Sequence, residues 1–285
     1  MIRGIFGKKT QSPAPVEAPE TPPKPAEAAS GTGAAEDGGA KTKRPWDGQP
    51  DEAACNFAVG HLFNNLPAQL KQDERVHTET CLTAIGAIAG FAAQRALFAE
   101  LSKSNDQAVI GQLQLVTTRN GAKYFLGEPL NRTLVPASTA EVNEKLWSLA
   151  ASGAIAVGLD RAQLPSLESM FAHVSKSIGG ELDGLPSVPK QHHPKLPATP
   201  LLKLVWPLAM MCFTGRFPGH SRDYGAASIK FWPAIAAHVA NALIRKVQPV
   251  LDPRTSLLIV METAIYASKL DAAVVKGETQ LAEKA

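Results

Sequence analysis

Residues 74–101 read ERVHTETCLTAIGAIAGFAAQRALFAEL, and this stretch decides the fold. Leu82, Ile85, Ala89, Ala92 and Ala96 recur at helical steps, and Ile88, Phe91 and Leu97 widen their stripe. A helix that is apolar nearly all round belongs inside a protein. At ~1.5 Å per residue it is about 40 Å long, enough to cross a domain. Gly86 and Gly90 stand one turn apart and leave a shallow groove, which predicts the close approach of a second helix. The uninterrupted apolar run, Cys81 to Ala93, falls short of the ~20 residues that span a bilayer, so no transmembrane segment is expected.

Upstream, a helix is expected over residues 51–66, with Asp51 and Glu52 complementing its dipole and Pro67 closing it. Before Asp51 the composition changes. Pro13, Pro15, Pro19, Pro22, Pro23 and Pro25 alternate with Ala, Glu, Lys and Gly, and large apolar groups are too few to offset the entropy of ordering. Residues 1–50 therefore read as a disordered Pro/Ala-rich tail. Its first residues, Ile2, Ile5 and Phe6 with Arg3, Lys8 and Lys9, form a short amphipathic hook suited to docking on a protein partner.

Downstream, one β signal interrupts the helical pattern. Leu113 and Leu115 alternate with Gln112 and Gln114, Asn120-Gly121 follows, and then Tyr124, Phe125 and Leu126. Asn-Gly between such runs predicts a hairpin with a type I′ turn, whose two central residues need positive φ. A further strand is expected over residues 130–135. Helices then resume near 138–159, where Ser138 and Glu141 have capping-box spacing, and near 166–178. Residues 180–199 hold Pro186, Pro189, Pro194 and Pro197, a connector that marks a candidate boundary between subdomains 51–179 and 200–275. Helices near 200–213, 231–247 and 253–270 complete the chain, the last started by Asp252-Pro253. The expected fold is mainly α: a multi-helix, bundle-like core over 51–285 with one small β-hairpin insertion and the N-terminal tail.

The chemistry on display is sparse. Formal charge is +3, with seven Lys or Arg against six Asp or Glu in the first 50 residues. Neither half has the basic excess of a protein that binds nucleic acid through phosphates. Cys55, Cys81 and Cys212 are widely spaced in apolar contexts, which points to buried thiols in a reducing, cytoplasmic compartment. Phosphate-binding loops, dinucleotide fingerprints, nucleophile elbows and zinc-protease motifs are all missing, which lowers the case for an enzyme. His77 and Cys81 share a helical face but have no second ligand pair, and His192-His193 lies on an extended loop, so no metal or other cofactor is expected.

Two constellations remain. Glu262 sits inside Leu257-Leu258-Ile259-Val260-Met261-Glu262-Thr263-Ala264-Ile265, where a carboxylate needs a partner. His238 and Arg245, on the polar stripe of the preceding helix, are the expected partners, with Asn241 between them. The loop 215–225 gathers Arg216, His220, Arg222 and Tyr224 among three glycines, a set able to bracket a phosphate or carboxylate. The first reading is a cytoplasmic interaction or scaffold protein with a protein partner; self-association is compatible with the composition. The alternative is an enzyme or ligand-binding domain that takes a small anion through the 215–225 loop.

Overall fold

The computed structural model describes residues 43–136, 144–218 and 223–275; the hook residues Ile2, Ile5 and Phe6 and the Ser138/Glu141 capping box lie outside the described residues. In chain order the elements are α1 (Glu52–Gln69), β1 (Lys71–Gln72), β2 (Arg75–Val76), α2 (Thr78–Ser104), α3 (Gln107–Ile110), β3 (Gln114–Thr117), β4 (Lys123–Leu126) and α4 (Glu128–Leu134). After these come α5 (Leu146–Ala156), α6 (Leu167–Ser177), α7 (Ala198–Thr214), α8 (Trp232–Val247) and α9 (Pro253–Ala267). The fold is mainly α with small antiparallel hairpins, as the periodicity predicts.

The helix read from residues 74–101 is the central one. His77 caps its start, its Nδ1 accepting the Thr80 N–H at 3.3 Å, and left-handed Asn105 ends it, its N–H bonding the Leu101 carbonyl at 2.8 Å. Every residue from Thr80 to Gln94 is buried. Among the described residues, α2 is the one helix long and apolar enough to cross a membrane, because Gln94 and Arg95 interrupt the apolar run without ending the helix. Within this protein α2 is wrapped by α7, α8 and α9.

The glycine spacing has the expected use. A methyl group on Gly86 would lie 2.5 Å from the Val260 carbonyl oxygen, and one on Gly90 2.0 Å from that of Ala264. Helix α9 thus crosses α2 nearly backbone to backbone. Helices from both expected subdomains share one core that runs from Trp46 to Val275, so the proline-rich connector does not divide the chain into two.

Local signals hold at several ends. Ser166 Oγ accepts from Ser169 N at 3.3 Å, and Asp252 Oδ2 from Thr255 N at 2.8 Å. Others are overridden. Helix α1 continues through Pro67 to Gln69, because a proline in the last turn removes a single hydrogen bond. The strand expected over 130–135 is instead α4: Pro129 at the first turn and Glu128 beside the helix N-terminus outweigh the β-propensity of Thr133, Leu134 and Val135.

The predicted hairpin pairs Gln114 with Leu126 and Thr117 with Lys123. Its loop is five residues long rather than two. Gly121 has φ 83°, and Asn120 is not in the left-handed region. Thr118 accepts from Gly121 N at 2.9 Å and donates its own N–H to Ala122 O at 2.8 Å. The positive-φ pair of a type I′ turn sits elsewhere, at Asp73 (φ 46°) and Glu74 (φ 64°) between β1 and β2, where neither residue is Gly or Asn. An ion pair of Lys71 with Glu74 closes that second small hairpin.

Candidate functional site

The buried carboxylate of the sequence reading is real, and its partners are different ones. Glu262 is 2% exposed. Its Oε2 accepts the Ser187 N–H and its Oε1 the Ser187 hydroxyl, both at 2.5 Å. His173 Nε2 stands 4.0 Å away but lies 2.9 Å from the Leu185 carbonyl, so its proton goes there. Burial raises the Glu262 pKa, and the two Ser187 hydrogen bonds and His173 oppose that shift. The expected partners face elsewhere. His238 packs edge-on against Trp46 at 5.3 Å, and burial, with Arg44 next, pushes its pKa down to about 4. Asn241 donates to the Leu149 carbonyl of α5 at 2.6 Å, and Arg245 is exposed in the last turn of α8, where a cation complements the dipole.

Tyr266, one turn beyond Glu262, shares its task. Asp183 of the connector accepts from the hydroxyls of Tyr266 at 2.8 Å and Tyr124 at 3.0 Å, and from Gly179 N at 2.9 Å. Thr199 lies 2.9 Å from the Tyr266 hydroxyl. Farther along, His192 Nδ1 meets Glu79 Oε1 at 3.0 Å and Lys195 N donates to Thr80 Oγ1 at 2.9 Å. Residues 179–199 are therefore strapped to the core by three acidic side chains, Asp183, Glu262 and Glu79. Sequence reading missed Asp183, Tyr124 and Ser187; the one local signal was Tyr266 four residues after Glu262.

Other candidates resolve as packing. Burial pushes the thiols of Cys55, Cys81 and Cys212 up to about 12, and all three are free. No cluster of three or more His, Cys, Asp or Glu side chains suited to a metal occurs among the described residues. Of the 215–225 set, His220 and Arg222 lie outside the described residues. Arg216 is exposed, and Tyr224 stacks flat on Phe57 of α1 at 4.1 Å with Phe217 edge-on at 6.0 Å. Asp223 caps the Gly225 N–H at 2.8 Å. The loop ends are an aromatic clamp on α1, and no contact joins Arg216 to Glu262 among the described residues.

A wide concavity lies where no residue was singled out. A groove of about 1180 Å³ runs beside the C-terminal half of α2, with Ala93, Ala96, Leu97 and Ala99 on one wall and Phe231 and Ala234 on another. Its geometry follows from the packing: α9 covers the glycine-bearing half of α2, and among the described residues α4 and the turn before α8 also pack against α2. Trp46, which follows Pro45 of the lining, is buried, its Nε1 donating to Asn56 Oδ1 at 2.9 Å and its ring edge-on to Phe231 at 6.1 Å.

Charges border this apolar floor: Lys103, Arg132, Lys145 and Lys230 against Glu100 and Glu144. Lys145 Nζ donates to the Arg132 carbonyl at 2.7 Å, and Lys230 Nζ lies 4.6 Å from the Phe231 ring. Glu144 Oε2 is buried and accepts no hydrogen bond from the described residues. Burial, with Asp47 second, pushes its carboxyl up to about 7. Comparisons with known protein families, with curated proteins and with solved structures each find no match.

Proposed function

We propose that this protein is an interaction or scaffold module of the cytoplasm that receives a segment of a partner protein in the groove beside α2. The observation that carries this reading is the groove itself. It is an open, largely apolar trough of about 1180 Å³ beside a densely filled core. Pockets for small molecules commonly hold about 300–1,000 Å³, so a polypeptide segment suits this volume better. Three free, buried thiols support a reducing compartment. The N-terminal hook, Ile2, Ile5 and Phe6, is a second proposed contact with a partner. The alternative, a small-anion site in the 215–225 loop, has less support, because Tyr224 is engaged with Phe57 and Arg216 is exposed.

Site-specific photocrosslinking tests the proposal. A benzophenone residue is placed at Ala99 in the groove or at Lys176 on α6, and the full chain is irradiated in cells. The expected result is one crosslinked protein from Ala99 only, which then binds the purified chain saturably. Equal crosslinking from both positions, or no saturable binding of the captured protein after purification, overturns the reading.

A further inference from the structure

We infer that β3 is a self-association edge, through which two copies of this chain pair β3 with β3, antiparallel, across a twofold axis at Val116. Strand β3 is bonded on one side, by β4. Strand β4 is bonded on both. On its far side the Phe125 N–H donates to the Lys269 carbonyl at 2.6 Å, and the Lys123 carbonyl accepts the Asp271 N–H at 3.3 Å. The backbone groups of Phe125 and Lys123 therefore point away from β3. Leu115 and Thr117 stand opposite these two residues, and in an antiparallel ladder the backbone groups of such a pair turn away from each other. The N–H and C=O of Leu115 and of Thr117 thus point out of the free edge, and none of the four has a hydrogen-bond partner among the described residues. The whole strand is exposed, Leu115 by 53% and Val116 by 37%.

Native proteins blunt such edges with a charge, a proline or a bulge. Residues 112–118 read QLQLVTT, without charge or proline, and the four pairs from Gln114–Leu126 to Thr117–Lys123 follow one another without a bulge. The symmetry of the edge names its occupant. With Val116 opposite Val116 of a second copy, Leu115 comes opposite Thr117 and Thr117 opposite Leu115. The four outward groups of one copy then meet the four of the other in four hydrogen bonds, the self-matching that a twofold interface requires. Val–Val and Leu–Thr pairs suit a pleated surface, and no charge within 112–118 meets its like. A formal charge of +3 on 285 residues repels a second copy only weakly. Four residues make a short interface, so the association is reversible and weak.

Sedimentation equilibrium of the full chain tests the association, and cysteine crosslinking tests its register. The mean mass should rise from one chain toward two between about 5 µM and about 500 µM. Val116 meets itself across the axis with Cα atoms about 4.5 Å apart, within disulfide reach, whereas Leu115 meets its own copy only two positions off. Val116→Cys should therefore oxidise to a disulfide dimer at least about tenfold faster than Leu115→Cys, although Leu115 is the more exposed. The native thiols do not interfere, because Cys55, Cys81 and Cys212 are buried and pushed up to about 12. Val116→Lys and Val116→Glu, each with an unchanged urea midpoint, should be monomeric alone and should dimerise when mixed, since the two charges then stand opposite each other. A constant mass of one chain up to about 500 µM overturns the inference. So does crosslinking from Leu115→Cys as fast as from Val116→Cys, which would place the contact elsewhere. Capture of a different protein by Val116→Cys, with this chain monomeric throughout, overturns the second copy in favour of a strand from another partner.

Discussion

Gly90 lies so close to Ala264 that a methyl group on its Cα would stand 2.0 Å from the Ala264 carbonyl oxygen. Backbone occupies that space, and no side-chain rotation can yield it. Gly90→Ala should therefore separate α2 from α9 and cost about 2–4 kcal/mol, as overpacking in a rigid core does. Gly86→Ala, with its nearest atom at 2.5 Å, should follow the same direction. Urea denaturation of both variants measures the loss; a cost under about 1 kcal/mol for Gly90→Ala would mean the helices part easily.

Glu262 answers to Ser187 and not to a buried cation, which changes the expected mutational cost. Glu262→Ala leaves the Ser187 donors and a small cavity behind and should cost about 2–3 kcal/mol. Glu262→Gln keeps one acceptor and should cost about 1 kcal/mol, while Arg245→Ala should have the same effect in the wild type as in the Glu262→Ala background. A large cost for Arg245→Ala, removed in the Glu262→Ala background, would restore the pairing expected from sequence.

Glu144 gives a pH signature. Its folded carboxyl titrates at about 7 against an ordinary value of 4.5, so the folded state holds a proton that the unfolded chain has lost. That contribution is full below pH 4.5 and disappears as pH rises to about 7. Discounted for partial exposure, it amounts to about 1 kcal/mol. Comparing urea midpoints of the wild type and Glu144→Gln from pH 4 to pH 8 should show the wild type losing ground across that window. A difference between the two that is flat with pH would contradict it.

The turn at Gly121 isolates backbone strain from packing, since no atom lies within 4 Å of a Cβ added there and φ is 83°. Gly121→Val should cost about 1–2 kcal/mol, and Gly121→Asn much less, because Asn tolerates left-handed backbone. Equal costs for Val and Asn would show that the turn rearranges.

What could be read in advance was what short-range physics dictates. The length and centrality of α2, the glycine pair that admits α9, the Ser166 and Asp252 caps and the β3–β4 pairing each follow from residues within a few turns of one another. The strand expected at 130–135 failed because Thr133 and Val135 were weighed without Pro129. Glu262 was recognisably out of place, but Ser187 lies 75 residues away on an irregular connector, with no periodicity to aim it. The groove left no mark, because its walls are brought together from α2, α4 and the turn before α8, and Ala96 reads like any other position of a core stripe.

The groove's role is tested most directly by titrating the purified partner captured at Ala99 into the wild-type chain and into Ala96→Glu, by calorimetry. The account predicts that the variant keeps its urea midpoint and binds at least about tenfold more weakly, a loss of about 1.4 kcal/mol or more. An unchanged Kd in a variant whose groove carries a buried carboxylate would contradict it.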